Sequence, residues 1–167
     1  MSDASGPFAR LGPGRYLLLA LAVVVADQWS KALVLATLAP GDARAYTPFF
    51  DLVLAFNRGA AFSLLADQPG WQNAFFIVLA LGVSGLIVWM LGRHRQATLF
   101  CTALGLILGG AVGNLIDRLQ IGAVVDFLSF HAGGWYWPAF NVADSAITVG
   151  AALVILDSLR RPRADSS

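Results

Sequence analysis

The 167-residue chain holds one cysteine, two histidines and only 13% charged residues. Each scarcity excludes something. Cys101 has no partner for an internal disulfide, and inside an apolar run it serves as a small packing residue. His94 and His131 lie far apart, and neither an HExxH motif nor a Cys/His cluster occurs. A zinc site of ordinary ligand spacing is therefore not expected, and no other cofactor is implied. GxSxG and GxGD patterns are also absent. Net charge is +1, which gives a nucleic-acid partner no electrostatic support. A soluble domain carries about 25% charged residues. With 57% hydrophobic residues, this chain lacks the polar surface that a water-soluble globule needs.

In place of charge there are four apolar runs, at about residues 16–38, 73–91, 98–116 and 142–159. Each approaches the ~20 residues that cross a bilayer core as a helix. None alternates as a strand would, and in lipid every backbone group must bond within its own segment. The expectation is a single integral membrane domain over residues 1–167, an all-α, four-transmembrane-helix bundle. Arg10 and Arg15 precede the first run, Arg93 and Arg95 follow the second, and Arg160, Arg161 and Arg163 follow the fourth. The excess of positive charge on cytoplasmic loops then places both termini inside. The segments at about 39–72 and 119–141 lie outside the cell membrane. Arg15 and YLLLALAVVVA also have the look of a cleavable leader, but the apolar pattern resumes at once with ALVLATLA and three more spans follow. A retained span is expected.

The outer segments are more than linkers. FFDLVLAF alternates apolar residues at Phe50, Leu52, Leu54 and Phe56, with a turn region at Gly59. It predicts a short strand pair or sheet at the membrane surface, to which AVVDFLSF at 123–130 adds a strand. Trp71, Trp135, Tyr136 and Trp137 fall at span edges, where an aromatic belt accounts for them.

Polar residues inside the apolar pattern are the candidate functional groups. Asp27 and Lys31 are four apart, on one helix face, and either fix helix packing as an ion pair or support a polar site. Gly105, Gly109 and Gly113 form a stripe along which another helix can approach. Asn114, Asp117 and Arg118 follow within one turn, as a site or as a solvated helix end. Asp126 stands among apolar and β-branched neighbours. Asp144, in FNVADS, stands at the amino end of the fourth run, where a helix cap or first-turn acid explains it equally well. Two carboxylates brought together at the membrane boundary would hold one proton between them, the chemistry of an aspartic protease.

Five blocks in order resemble the lipoprotein signal peptidase family (signal peptidase II), membrane aspartyl proteases of bacteria. They are DQWSK at 27–31, FNRGAAFSLL at 56–65, GGAVGNLIDRL at 109–119, GAVVDFLSF at 122–130 and FNVADS at 140–145. The resemblance implies that Asp126 and Asp144 are the catalytic dyad. It implies that Asn57, Asn114, Arg118 and Asn141 order the site or hold substrate backbone, and that Asp27, Lys31 and Asp117 support it. The outer segment at about 40–70 would form a small sheet that cradles the substrate. That substrate would be a prolipoprotein carrying diacylglycerol on its lipobox cysteine, cut just before that cysteine in the bacterial inner membrane. Membrane lipids and the cyclic peptide globomycin are the other implied partners. Residues read without the resemblance leave two rivals. One is a small four-span transporter with a relay of buried polar groups; the other is a scaffold in which those groups only join helices.

Overall fold

The computed structural model describes residues 12–59, 71–93 and 98–160. Residues 60–65 of the second block, His94, Arg10, Arg95, Arg161 and Arg163 lie outside them. The element order is α1 (Gly14–Thr37), β1 (Ala43–Thr47), β2 (Phe50–Asn57), α2 (Trp71–Arg93), α3 (Thr98–Ile121), β3 (Val124–Ala132), β4 (Trp135–Tyr136) and α4 (Val142–Arg160). All four helices are long and apolar enough to cross a membrane. Their outward faces carry Leu18, Leu21, Val78, Leu81 and Ile155, all more than half exposed. The apolar surface thus faces out, as lipid requires.

α3 is the axis of the bundle. It has eleven buried positions against two each on α2 and α4, and it touches all three other helices. The glycines explain how. A Cβ at Gly105 would lie 2.9 Å from the Tyr16 carbonyl oxygen, and one at Gly109 would lie 2.7 Å from that of Ala20. The predicted stripe therefore seats α1. One residue round the helix, a Cβ at Gly110 would overlap the Ala143 carbonyl oxygen of α4. Gly150 of α4 returns the contact, 2.8 Å from the Ala103 carbonyl. Where backbones meet this closely, dispersion contacts hold helices together without any hydrophobic drive.

α3 runs past its apolar stretch to Ile121 because its polar last turns have partners inside the bundle (below). Gly122, at φ +70°, then ends it, donating its N–H to the Arg118 carbonyl at 3.2 Å. The chain passes directly into β3.

The sheet is antiparallel, in the order β1-β2-β3-β4. Two strands escape the sequence pattern. β1 is exposed along its whole length, so it shows no apolar alternation. It is an edge strand whose Arg44 caps the end of α1 through the Thr37 carbonyl at 2.9 Å. β4 has two residues and is set by the Gly133-Gly134 turn, both at positive φ, which suits a tight hairpin. Val34 of α1 and Leu38 just past its end pack with Leu54, Val125 and Phe127 to fasten the sheet to the end of the bundle.

Gly110→Val should force α3 from α4 and destabilise the fold by about 1–3 kcal/mol. Gly82→Ala on α2, with no atom within 4 Å of the added Cβ, should be neutral or stabilising. Thermal denaturation in detergent compares the two; equal melting temperatures would refute the close-packing role of Gly110.

Candidate active site

The site begins with α1. Lys31 Nζ lies 2.7 Å from Asp27 Oδ2 and 2.8 Å from Asp117 Oδ2, and donates to Asn114 Oδ1 at 3.1 Å. Asp27 Oδ1 accepts the Ala143 N–H of α4 at 2.9 Å, and Asp117 Oδ2 accepts the Val125 N–H of β3 at 3.0 Å. This cluster joins both readings of Asp27 and Lys31: it packs helices and it abuts the site.

Asn114 relays the cluster onward. An ammonium only donates, so Lys31 must meet the amide oxygen. The amide nitrogen is thereby turned to Asp144, whose Oδ1 accepts it at 2.8 Å. Asn141 is fixed in the same way by α4. It is the N-cap, with Oδ1 accepting the Asp144 N–H at 2.8 Å, while Asp144 Oδ2 accepts the Asn141 N–H at 3.3 Å. That reciprocal pair is a capping box with aspartate as its acid. The Asn141 amide nitrogen is left to donate to Asp126 Oδ1 at 2.8 Å, Asn114 Oδ1 at 3.2 Å and the Val125 carbonyl at 3.2 Å. Asp144 is thus a first-turn acid, as its position in the sequence allows, and also a neighbour of Asp126 through one shared residue.

The strands complete the site by a register shift. β2 and β3 start with Phe50 opposite Phe130 and Leu52 opposite Leu128. Continued unbroken, that pairing would put Phe56 on the Asp126 face. An irregularity between Leu52 and Ala55 adds one residue to β2, so that Ala55 opposes Asp126 and Asn57 opposes Val124. A one-residue slip exchanges faces. Phe56 turns outward, 43% exposed, and Asn57 donates to Asp126 Oδ2 at 3.0 Å. The expected alternation through Phe56 therefore ends at the bulge. On the far side, Phe140 and Leu128 exchange backbone bonds at 2.8 and 3.0 Å, which returns the chain across β3 and sets Asn141 against Asp126.

A cleft of about 590 Å3 opens beside these residues, lined by Asn57, Asp144 and Ser145 and by the aromatic rings of Trp137 and Phe140. Asp144 is half-buried and lines it; Asp126, 2% exposed, lies behind. Burial, and then the negative charge of Asp144, push the Asp126 carboxyl up to about 7, against the opposing pull of the Asn57 and Asn141 amides and the Lys31 charge. Among the described residues no group of three or more His, Cys, Asp or Glu side chains is arranged to hold a metal ion.

Of the nine sequence-derived candidates, eight join this network directly. Arg118 does not touch either carboxylate. Its guanidinium donates to the Asn114 carbonyl at 3.3 Å and lies over the Phe76 ring, 4.9 Å from its centre, within electrostatic range of Asp144, Asp117 and Asp126. Gln28 is not among those candidates, yet it donates to Asp117 Oδ1 at 2.8 Å and to the Gly113 carbonyl at 3.1 Å. Its signal in the sequence is a polar amide next to Asp27 in mid-span. Trp137 carries only the signal of a belt aromatic and Phe140 no signal beyond its place in FNVADS, because nothing in a linear pattern shows that they line a cleft.

Comparison with known proteins identifies the family. The family model for signal peptidase (SPase) II matches residues 19–160. The lipoprotein signal peptidase of Burkholderia mallei is 55% identical over 163 residues, 98% of this chain and 96% of that one. That of Cupriavidus necator is 56% identical over 151 residues, covering 90% and 86%. A bacterial membrane enzyme solved by the in meso method at 1.9 Å has the same fold, with a TM-score of 0.79 and 31% identity over 89% of this chain and 95% of its own. Matched along nearly its whole length in sequence and in fold, the chain belongs to the signal peptidase II family.

Proposed function

We propose that this membrane protease removes signal peptides from prolipoproteins, with Asp126 and Asp144 as its catalytic pair. The observation that carries this reading is the double attachment of Asn141, whose amide holds Asp126 at 2.8 Å while its backbone N–H meets Asp144 at 3.3 Å beside an open cleft. In the cleft one carboxylate takes a proton from water. The water oxygen bonds to the scissile carbonyl carbon as the other carboxyl gives its proton to the carbonyl oxygen. The resulting diol returns a proton to the pair, the C–N bond breaks, and the amine leaves protonated. No covalent enzyme intermediate forms, since water is the nucleophile.

The substrate is a lipid-modified one, with diacylglycerol on the cysteine that follows the cut. An acyl-anchored peptide keeps its scissile bond near the membrane surface, and the cleft lies at the amino end of α4, by the exposed Trp137. That end is extracytoplasmic, and both termini are cytoplasmic, because Arg15, Arg93 and Arg160 stand at the opposite helix ends. Asn57 and Arg118 hold the substrate backbone, and Asp27, Lys31 and Asp117 support the pair. Globomycin occupies the same cleft.

Purified protein given a diacylglyceryl-modified prolipoprotein should cut it, and should leave the unlipidated form intact. Asp126→Asn and Asp144→Asn should each lower turnover by about 10²–10⁴-fold without loss of folding. Full activity in either variant would refute the pair.

The pH profile is a separate test. The pair loses its shared proton near pH 7. The value of kcat/KM should therefore fall above about pH 7; a plateau to pH 9 would contradict it. Stability is linked. The folded state keeps this proton while the unfolded chain releases it near pH 4, so stability declines as pH rises from about 4 to about 7. Asp126→Asn lacks that penalty, so its Tm relative to wild type should rise across the same window.

A further inference from the structure

We propose that the two aspartates have fixed roles: Asp126 holds the proton of the resting enzyme and Asp144 is the ionised base, with Lys31, acting through Asn114, as the positioning residue that sets the difference. This inference rests on the catalytic pair of the preceding section.

Three asymmetries carry it. The first is solvation. Asp126 is 2% exposed and sits behind the cleft, whereas Asp144 is half-buried and lines it. Removing a charge from solvent is costly, so the neutral form belongs at the deeper site. The second is the backbone field. Asp144 occupies the first turn of α4, where the helix presents its positive end and favours an anion. Asp126 lies on a strand, which has little net dipole.

The third is the polarity of the amides. Asn114, which donates to Asp144 Oδ1, receives the Lys31 ammonium on its oxygen at 3.1 Å. A cation on the carbonyl side strengthens the N–H donor on the other. The amides that donate to Asp126 have their oxygens on backbone N–H groups, Gly59 at 2.8 Å for Asn57 and Asp144 at 2.8 Å for Asn141. Among the described residues, the charged groups that act on Asp126 come from three elements: Lys31 of α1, Arg118 of α3 and Asp144 of α4. The negative charge of Asp144 keeps the proton on its neighbour.

The division suits the cleft. Asp144 faces the space that water and substrate enter and takes the proton from water. Asp126, behind it, gives its proton to the carbonyl oxygen as the new C–O bond forms.

Infrared spectroscopy of the full chain in detergent tests this, because a protonated carboxyl and a carboxylate absorb separately. Asp27 and Asp117 are paired with Lys31, and difference spectra between wild type and each variant isolate the band of the pair. At about pH 6 the wild type should show a protonated-carboxyl band that titrates away near pH 7. The band should be missing in Asp126→Asn. Its persistence there, or its absence from wild type, would overturn the assignment. In Asp144→Asn the titration midpoint should fall, since a neighbouring negative charge is gone. An unmoved midpoint would show the two carboxylates uncoupled, and so refute the pair itself rather than the division of roles. In the double variant Asp126→Asn/Asn114→Leu the band should return, now from Asp144. A silent double variant would remove the Lys31–Asn114 path.

Discussion

The Lys31 ammonium is the group on which the rest of the structure depends. It lies 2.7 Å from Asp27, 2.8 Å from Asp117 and 3.1 Å from Asn114, in a chain whose helices otherwise face lipid. An unpaired ion at this depth costs a few kcal/mol on insertion scales. Two carboxylates on one cation would leave a surplus negative charge. The backbone N–H groups of Val125 and Ala143 and the Gln28 amide answer it. A single charge cluster therefore sets the relative positions of α1, α3, β3 and α4. Buried ion clusters seldom add much net stability, since desolvation offsets their attraction. What this one supplies is geometry: its donors and acceptors are drawn from α1, α3, β3 and α4, which must meet for them to be satisfied together.

Close packing makes the cluster reachable. A Cβ at Gly113 would lie 2.7 Å from Asp27 Oδ2, so the glycine that ends the α3 stripe clears room for the carboxylate as well as for the helix. Gly109 and Gly110 bring α1 and α4 to neighbouring faces of α3 at the same depth. Without that approach the Asp27 carboxylate would not span from Lys31 to the first turn of α4. The helix-packing and charge features are one device.

From there the polarity of the site propagates by elimination. Lys31 claims the oxygen of Asn114, and α4 claims that of Asn141. Each amide nitrogen is left facing a carboxylate, that of Asp144 or that of Asp126. The order imposed in mid-bundle thus reaches the cleft as a set of donors with no freedom to flip. Asn57 enters from the sheet only because β2 holds one extra residue.

Much of this was legible in the chain. The low charge and the four apolar runs determined the bundle, because lipid leaves helix as the only way for a single segment to satisfy its backbone. The polar residues that interrupt those runs marked the site, because ions and amides persist in a span only where something binds them. Gln28 carried the same mark, one residue from Asp27. The strands were half-legible: β2 and β3 alternate or bury apolar residues, whereas β1 is fully exposed and β4 too short for a period. Only the tertiary structure decided which polar residues meet. Asp27 and Ala143 are 116 positions apart, Asn57 and Asp126 are 69, and no periodicity reports contacts over such separations. Likewise only the fold placed Arg118 over Phe76 rather than on the carboxylates, turned Phe56 out and Asn57 in, and left Asp144 on the cleft with Asp126 behind it. Local pattern reads what a residue can tolerate, a membrane or a helix end. Which partner it gains depends on register and helix approach, and these are settled by long-range packing.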